Sequence, residues 1–233
     1  MKVIYVTGDT HGNFDRIDEF CDENSTQLSD IMIVLGDAGI NYYGGKKDYY
    51  RKDLFSGLNI TLFCVHGNHE QRPFDIPSYV EIPWHGGIVY QEPEFPKFVF
   101  AKDGEIYDFD GKKTIVLGGA YSIDKEYRLL NDMHWWDNEQ PSDEIKAYAE
   151  QRLAALNWNI DVVLSHTVPL KYEPVESEKS DIDQSKIDKS TEQWLDSIEN
   201  RLSYNKWYCG HWHIEKKIDK IEFMYENISE FLK

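Results

Sequence analysis

The sequence predicts an α/β fold. A parallel sheet carries polar turns at the carboxyl ends of its strands, and a second, antiparallel-leaning sheet follows. Three observations predict it. Short apolar runs rich in β-branched and aromatic residues recur at residues 2–7, 31–35, 60–65, 160–165 and 206–209, the pattern of buried strands. Helical periods follow the early runs, and repeated strand–loop–helix units need crossover connections, hence parallel pairing. Residues 98–101, 105–109 and 113–117 alternate as strands, and Asp110-Gly111 between the last two is a hairpin signal, because Gly takes the positive φ of a type I′ turn readily.

In chain order, residues 2–7 run into Gly8-Asp9-Thr10-His11-Gly12-Asn13. Asp9 and His11 are two residues apart, so in an extended chain they point the same way. Residues 14–24 read as a helix with Phe14, Ile17, Phe20 and Cys21 on one face. The second run ends in Gly36-Asp37-Ala38-Gly39, beside a loop at 40–47 rich in Gly and Tyr, and 48–58 reads as a short returning helix. The third ends in His66-Gly67-Asn68-His69-Glu70. Residues 73–97, with five prolines and Gly86-Gly87, read as an irregular excursion. Tyr127, Arg128, His134, Trp135 and Trp136 gather in a polar loop at 122–136, which packs onto the core or walls a substrate.

Pro141 and the acids Asp143 and Glu144 open a helix over 142–156. The fourth run ends in His166. Residues 170–190 are the most polar stretch and read as a mobile loop or lid. Ser190-x-x-Gln193 has the form of a capping box, opening a helix to about residue 202. The fifth run ends in Gly210-His211-Trp212-His213, where alternation would set both imidazoles on one side and Trp212 in the core. Strands over 214–225 turn at Asp219-Lys220. No domain boundary is visible, so residues 1–233 read as a single domain.

Each of the five apolar runs therefore ends in a residue able to bind a metal, and open α/β sheets gather ligand sites at such ends. His66 reads as structural, and His85 and His134 as exposed. The formal net charge of −17 counts against a nonspecific nucleic-acid binder, which must neutralise phosphates. It favours small or protein-borne phosphate substrates. The cysteines Cys21, Cys64 and Cys209 lie mostly within apolar runs and read as reduced core thiols of a cytoplasmic protein. No apolar run is long enough for a transmembrane helix, and no secretory leader is visible.

The ordered set GDTHGN, GDAG, GNHE, SH and GHWH, from residue 2 to about residue 214, resembles the calcineurin-like metallophosphoesterase superfamily. The Gly67-Asn68-His69-Glu70 element is most similar to the serine/threonine protein phosphatase branch. The resemblance implies a four-layer αββα sandwich of two mixed sheets flanked by helices. It implies two divalent metal ions, Mn first, with Fe, Zn or Ni as alternatives, since a mixed N/O donor set suits these. Asp9, His11 and His213 would hold one ion, Asn68, His166 and His211 the other, and Asp37 would bridge. A metal-bridging hydroxide would attack the phosphorus of a phosphomonoester, and His69 would protonate the leaving oxygen. The alternative is a phosphodiesterase or nucleotide hydrolase, with Tyr42, Trp135 and Trp136 stacking on a base. A third reading is a metal-binding scaffold without catalysis. The second element departs from the protein-phosphatase pattern, because Gly36-Asp37-Ala38-Gly39-Ile40-Asn41-Tyr42 lacks an Asp to orient the histidine and an Arg to hold phosphate. Arg128 and Arg72 are the candidate clamps, and Asn41 or Glu70 the candidate orienting group.

Overall fold

The computed structural model describes residues 2–174 and 184–233. A seven-stranded sheet is built from β1 (Ile4–Thr7), β2 (Ile31–Val34), β3 (Thr61–Cys64), β4 (Val80–Trp84), β5 (Gly87–Gln91), β6 (Phe98–Ala101) and β13 (Ser229–Glu230). Its order is β13-β1-β2-β3-β6-β5-β4. A six-stranded sheet is built from β7 (Ile106–Phe109), β8 (Lys112–Leu117), β9 (Val162–Ser165), β10 (Lys206–Cys209), β11 (Lys216–Ile218) and β12 (Ile221–Phe223), in the order β11-β12-β10-β9-β8-β7. The helices are α1 (Asp15–Asn24), α2 (Lys46–Phe55), α3 (Lys125–Leu130), α4 (Asp143–Ala155) and α5 (Ser190–Glu199).

The layers follow from the side-chain alternation of the buried strands. Val6, Ile33, Phe63 and Val99 of the first sheet meet Tyr107, Val116, Leu164 and Tyr208 of the second in a core between the sheets. Their neighbours Met32, Val34, Leu62 and Cys64 face outward and are covered by Ile17 and Cys21 of α1. On the far side, Ala149 and Leu153 of α4 and Trp194, Leu195 and Ile198 of α5 cover Ile115, Val163 and Trp207. Both faces of each central strand are buried, as parallel strands require. The result is the expected αββα arrangement of two mixed sheets.

Four expectations are corrected. Residues 73–97 are not irregular, since β4 and β5 form an antiparallel hairpin in the first sheet. Pro83 is tolerated because β4 is the sheet edge, where a missing N–H breaks no ladder. His85 and Gly86 turn it, both at positive φ. β6 pairs parallel with β3 in the first sheet, not with the second. The second sheet has a parallel centre of β8, β9, β10 and β12, and only its rims β7 and β11 run antiparallel. The capping box does not form, because Ser190 already lies in α5 and its hydroxyl contacts the Gln140 side chain at 3.2 Å. Asp188 instead accepts the Ser190 N–H at 2.9 Å.

Of the 170–190 loop, residues 175–183 lie outside the described residues. The flanks hold short 3-10 turns at Leu170–Tyr172 and Gln184–Lys186, and Lys189 pairs with Glu173 at 2.6 Å. Among the described residues, no helix is long and apolar enough to cross a membrane.

Glu192, in the first turn of α5, is buried and its Oε2 has no partner among the described residues. Burial pushes its carboxyl up to about 7. A folded value above the unfolded one gives stability that is full below about pH 4.5 and lost as pH rises through about 7, roughly 3 kcal/mol in all. Glu192→Gln is therefore expected to flatten the fall in unfolding free energy between pH 5 and 8, measured by urea denaturation. An unchanged pH slope would contradict it.

Candidate metal centre and active site

The strand ends of both sheets converge. Asp9 and His11 follow β1, Asp37 follows β2, and Asn68 and His69 follow β3. His166 follows β9, and His211 and His213 follow β10. Donor atoms of Asp9, His11 and His213 lie within 4.8 Å of one another, as do those of Asp9, Asp37 and His166. His11 Nε2 and His213 Nε2 are 3.0 Å apart. Asn68 Oδ1 is 2.8 Å from His166 Nε2 and 3.1 Å from His211 Nδ1. Asp37 Oδ2 sits between the two sets, 4.0 Å from His11 Nε2 and 3.6 Å from His166 Nε2. The structure thus brings together all seven residues that the sequence nominates as ligands.

Simple alternation does not place them. β1 ends at Thr7, and His11, Asp37, His211 and His213 all adopt left-handed backbone, with φ of 47, 47, 68 and 52°. Tight turns at the strand ends aim the side chains, at a backbone cost that functional sites commonly carry. Trp212 still packs against the core beneath α4 and α5, although its indole Nε1 finds no partner among the described residues.

The donor set fits a pair of cations. Each carboxylate spends Oδ1 on a backbone N–H, Asp9 on His211 at 2.8 Å and Asp37 on His69 at 2.7 Å, leaving Oδ2 toward the cluster. The Leu35 carbonyl, 2.8 Å from His166 Nδ1, can only accept, so that nitrogen carries the proton. A neutral His166 then presents a lone pair at Nε2 to the lone pairs of Asn68 Oδ1. Two acceptors at that distance repel unless a cation lies against both. Donors on one ion at about 2.0–2.2 Å stand roughly 3 Å apart, which is the spacing seen.

Burial alone would raise the Asp9 carboxyl, but positive charge at His166, a hydrogen bond from His213 and charge at His11 hold it well below the usual range, a stabilisation that a cation would supply where those imidazoles are neutral ligands. His166 and His69 outweigh burial at Asp37 in the same way. Burial pushes His211 down to about 3, which keeps that imidazole neutral and able to ligate.

Asn68 is oriented by a chain of groups that sequence reasoning missed. Its Nδ2 donates to Ser122 Oγ at 2.8 Å, and Ser122 Oγ donates to Glu139 at 2.6 Å. Glu139 also accepts from Ser122 N at 3.0 Å and Trp135 Nε1 at 2.8 Å. This fixes the amide so that its oxygen faces the cluster. It also gives Trp135 a structural role.

His69 stands beside the cluster, its ring edge-on to His11 at 5.5 Å. Its carboxylate neighbour is Asp124, with Oδ1 3.9 Å from Nε2. Burial lowers the His69 pKa and Arg128 adds to this, while Asp37 and Asp124 oppose it. Arg128, on the short α3 that the sequence reading took as loop, is fully buried. Its Nη1 lies 3.9 Å from Asp124 Oδ1 and 3.3 Å from Ser122 Oγ. Nε and Nη2 have no partner among the described residues. Its guanidinium lies 5.6 Å from the Tyr42 ring, next to Tyr43, His134 and Trp136.

The other three nominees sit elsewhere. Arg72 is 2% exposed, pairs with Asp103 at 2.6 Å and donates to the Asn138 carbonyl at 2.7 Å, so it serves as a buried ion pair and not as a phosphate clamp. Asn41 accepts from Tyr79 OH at 3.1 Å. Glu70 is fully buried and accepts from Gly67 N at 2.9 Å; burial and the Asp37 charge keep its carboxyl protonated well above the usual range. It braces the loop that carries Asn68 and His69. Neither side chain is hydrogen-bonded to His69 among the described residues, and the carboxylate paired with its ring is that of Asp124, at 3.9 Å.

Close approach sets the glycine at the second strand end. A Cβ on Gly36 would lie 2.0 Å from His166 Nδ1, at a φ of +100°. Gly36→Ala is expected to cost at least ~2 kcal/mol, a fall of roughly 4–8 °C in Tm by calorimetry, with loss of bound metal. A variant that melts and binds metal like the parent would refute this account of the turn.

The family model described as calcineurin-like phosphoesterase matches residues 2–215. No curated protein matches the chain at a significant level. Among solved structures, one crystal structure superposes with a TM-score of 0.51 at 13% identity, covering 96% of this chain and 89% of its own. The crystal structure of TT1561 of Thermus thermophilus superposes at 0.50 with 9% identity, covering 99% and 98%. Phosphopantetheinyl hydrolase (PptH) from Mycobacterium tuberculosis gives 0.45 at 14% identity, covering 99% and 96%, too remote to bear on this chain. At such identities the first two likenesses concern the fold alone. With the match across nearly the whole chain and the donor cluster at the strand ends, this protein belongs to the calcineurin-like phosphoesterases, metal-dependent hydrolases of phosphate esters.

Proposed function

We propose that this chain hydrolyses phosphomonoesters at a binuclear metal centre. Asp9, His11 and His213 would hold one ion and Asn68, His166 and His211 the other, with Asp37 placed to serve both. Mn is the first candidate for the native metal, and Fe, Zn and Ni suit the same donors. Two such ions, when bound, neutralise phosphoryl oxygens and acidify a water that becomes the nucleophile. His69 gives a proton to the leaving oxygen, and Asp124 favours the charged imidazole that can give it.

The observation that carries the monoester reading is Arg128. A guanidinium buried with two nitrogens unpaired has N–H groups in reserve for the free oxygens of a terminal phosphoryl group, which a diester replaces in part with carbon. The substrate is small or protein-borne, as the net charge of −17 favours. The three buried free thiols fit a reducing, cytoplasmic setting. A second reading is a nucleotide or diester hydrolase. The aromatic group of Tyr42, Tyr43, His134 and Trp136 beside Arg128 supports it, because aromatic rings stack on bases.

The test is turnover of a monoester and a diester sharing one leaving group, with Mn, for wild type and Arg128→Ala. The monoester is expected to be the faster substrate, and Arg128→Ala to lower its kcat/KM by roughly 10–100-fold, the loss of a charge-assisted hydrogen bond, while touching the diester less. A faster diester in the wild type would overturn the proposal in favour of the second reading.

A further inference from the structure

The seven clustered donors are not held alike. His166 is buried, and its ring is fixed by the Leu35 carbonyl. His213 is the opposite case. Its side chain is 44% exposed and its backbone is left-handed. A half-exposed imidazole can turn about χ2, a torsion with broad wells. Such a turn would swing Nε2 away from Asp9 Oδ2, now at 3.3 Å, and from His11 Nε2, at 3.0 Å. Tyr225 lies flat against this ring. The two centroids are 4.6 Å apart and the planes 16° from parallel, a stacked arrangement that aromatic pairs favour. His213 in turn meets His11 edge-on at 5.1 Å, and His11 meets His69 edge-on at 5.5 Å. Tyr225 is therefore the outer end of a row of four rings that runs through the cluster to His69.

Main-chain bonds hold Tyr225 in place. The Glu215 carboxylate, two residues beyond His213, accepts the N–H groups of Tyr225 and Asn227 at 3.0 and 2.8 Å. The Tyr225 carbonyl accepts the Gly8 N–H at 3.1 Å and an Arg16 Nη2 hydrogen at 2.9 Å. Arg16 Nη2 also lies 2.9 Å from the Asp9 carbonyl oxygen. The approach to Gly8 is close, since a Cβ there would stand 2.1 Å from the Met224 carbonyl oxygen. Tyr225 thus joins the turn after β1, which carries Asp9, to the turn after β10, which carries His213. Those two residues are assigned to the same ion.

We propose that Tyr225 is a positioning residue for the ion assigned to Asp9, His11 and His213, its ring setting the plane of the His213 imidazole. This rests on the binuclear reading above. Groups that orient a ligand from outside the coordination shell are as much a part of a metal site as the ligands, and here an aromatic face takes that part. The stack needs a flat ring and not a phenol hydroxyl, so Phe should serve in its place. Leu, apolar but without a flat face, should not. The hydrogen bonds of the segment pass through main-chain atoms and the Glu215 carboxylate, so changing the ring leaves them in place.

The test is titration of the metal-free chain with Mn²⁺, followed by calorimetry, for wild type, Tyr225→Leu and Tyr225→Phe. Wild type is expected to take up two ions. Tyr225→Leu should bind one of them roughly 10–100-fold more weakly, the usual cost of losing a group that orients a ligand. It should hold the other at the wild-type affinity and melt within a few degrees of wild type. Tyr225→Phe should restore the wild-type isotherm. In the metal-free protein the His213 ring proton resonances, which lie over the Tyr225 ring, should move in Tyr225→Leu and stay in Tyr225→Phe. Fewer than two ions on the wild type would remove the binuclear centre and this inference with it. Two ions on the wild type with undiminished affinity in Tyr225→Leu, equal weakening of both ions, or a Phe variant as weak as the Leu variant would overturn this inference alone.

Discussion

Asp37→Asn is expected to lower phosphoester turnover by ~10³-fold or more while leaving the fold in place. The reasoning rests on the two oxygens of one side chain. Oδ1 accepts the His69 N–H at 2.7 Å, and an asparagine oxygen can keep that bond. Oδ2 faces His11 and His166 at 4.0 and 3.6 Å, and there the charge is lost. A metal's stabilisation of the reacting phosphoryl group is worth several kcal/mol, and each 1.36 kcal/mol is about tenfold in rate. Bound metal, measured by elemental analysis, should drop from about two ions per chain toward one, and Tm should move by only a few degrees. Unimpaired turnover in this variant would sink the binuclear mechanism.

His69→Ala is expected to cost about 10²–10⁴-fold, the ordinary worth of proton donation, without loss of metal. Its ring contacts His11 only edge-on, and its carboxylate neighbour is Asp124. The effect should grow as the leaving group becomes a poorer one. An alkyl phosphate needs its oxygen protonated as the bond breaks, and a nitrophenyl phosphate hardly does. Asp124→Asn should show the same leaving-group trend with a smaller loss. If the alkyl and nitrophenyl esters lose rate equally in His69→Ala, the residue shapes the site without donating a proton.

Much of the site could be read before the structure, for a physical reason. A metal centre restricts residue types as well as positions, so Asp, Asn and His after each apolar run leave a signal that survives without periodicity. The groups that tune the centre carry no such mark. Asp124 and Glu139 are two among 42 acidic residues, and Ser122 is an ordinary loop serine. They matter only because α3 and its flanks fold back over the strand ends. Helix α3, with six residues, is too short to show a repeat. The β4–β5 hairpin was hidden by Pro83, which argues against a strand in general and is harmless on an edge. The alternation argument set Asp9 and His11 side by side, as the structure does at 3.7 Å, but through an extended geometry that the turn does not have.

The division of the seven donors between two sheets bears on biosynthesis. Asp9, His11, Asp37 and Asn68 leave the ribosome well before His166, His211 and His213. β13, at Ser229–Glu230, closes the edge of the first sheet against β1. Domains emerge amino-terminus first, so a nascent chain carries four of the seven clustered side chains well before the other three. The set assembles only when the second sheet docks on the first. An ion held by this set would therefore load late, with the closing of the sandwich, and would fasten early-made residues to late-made ones.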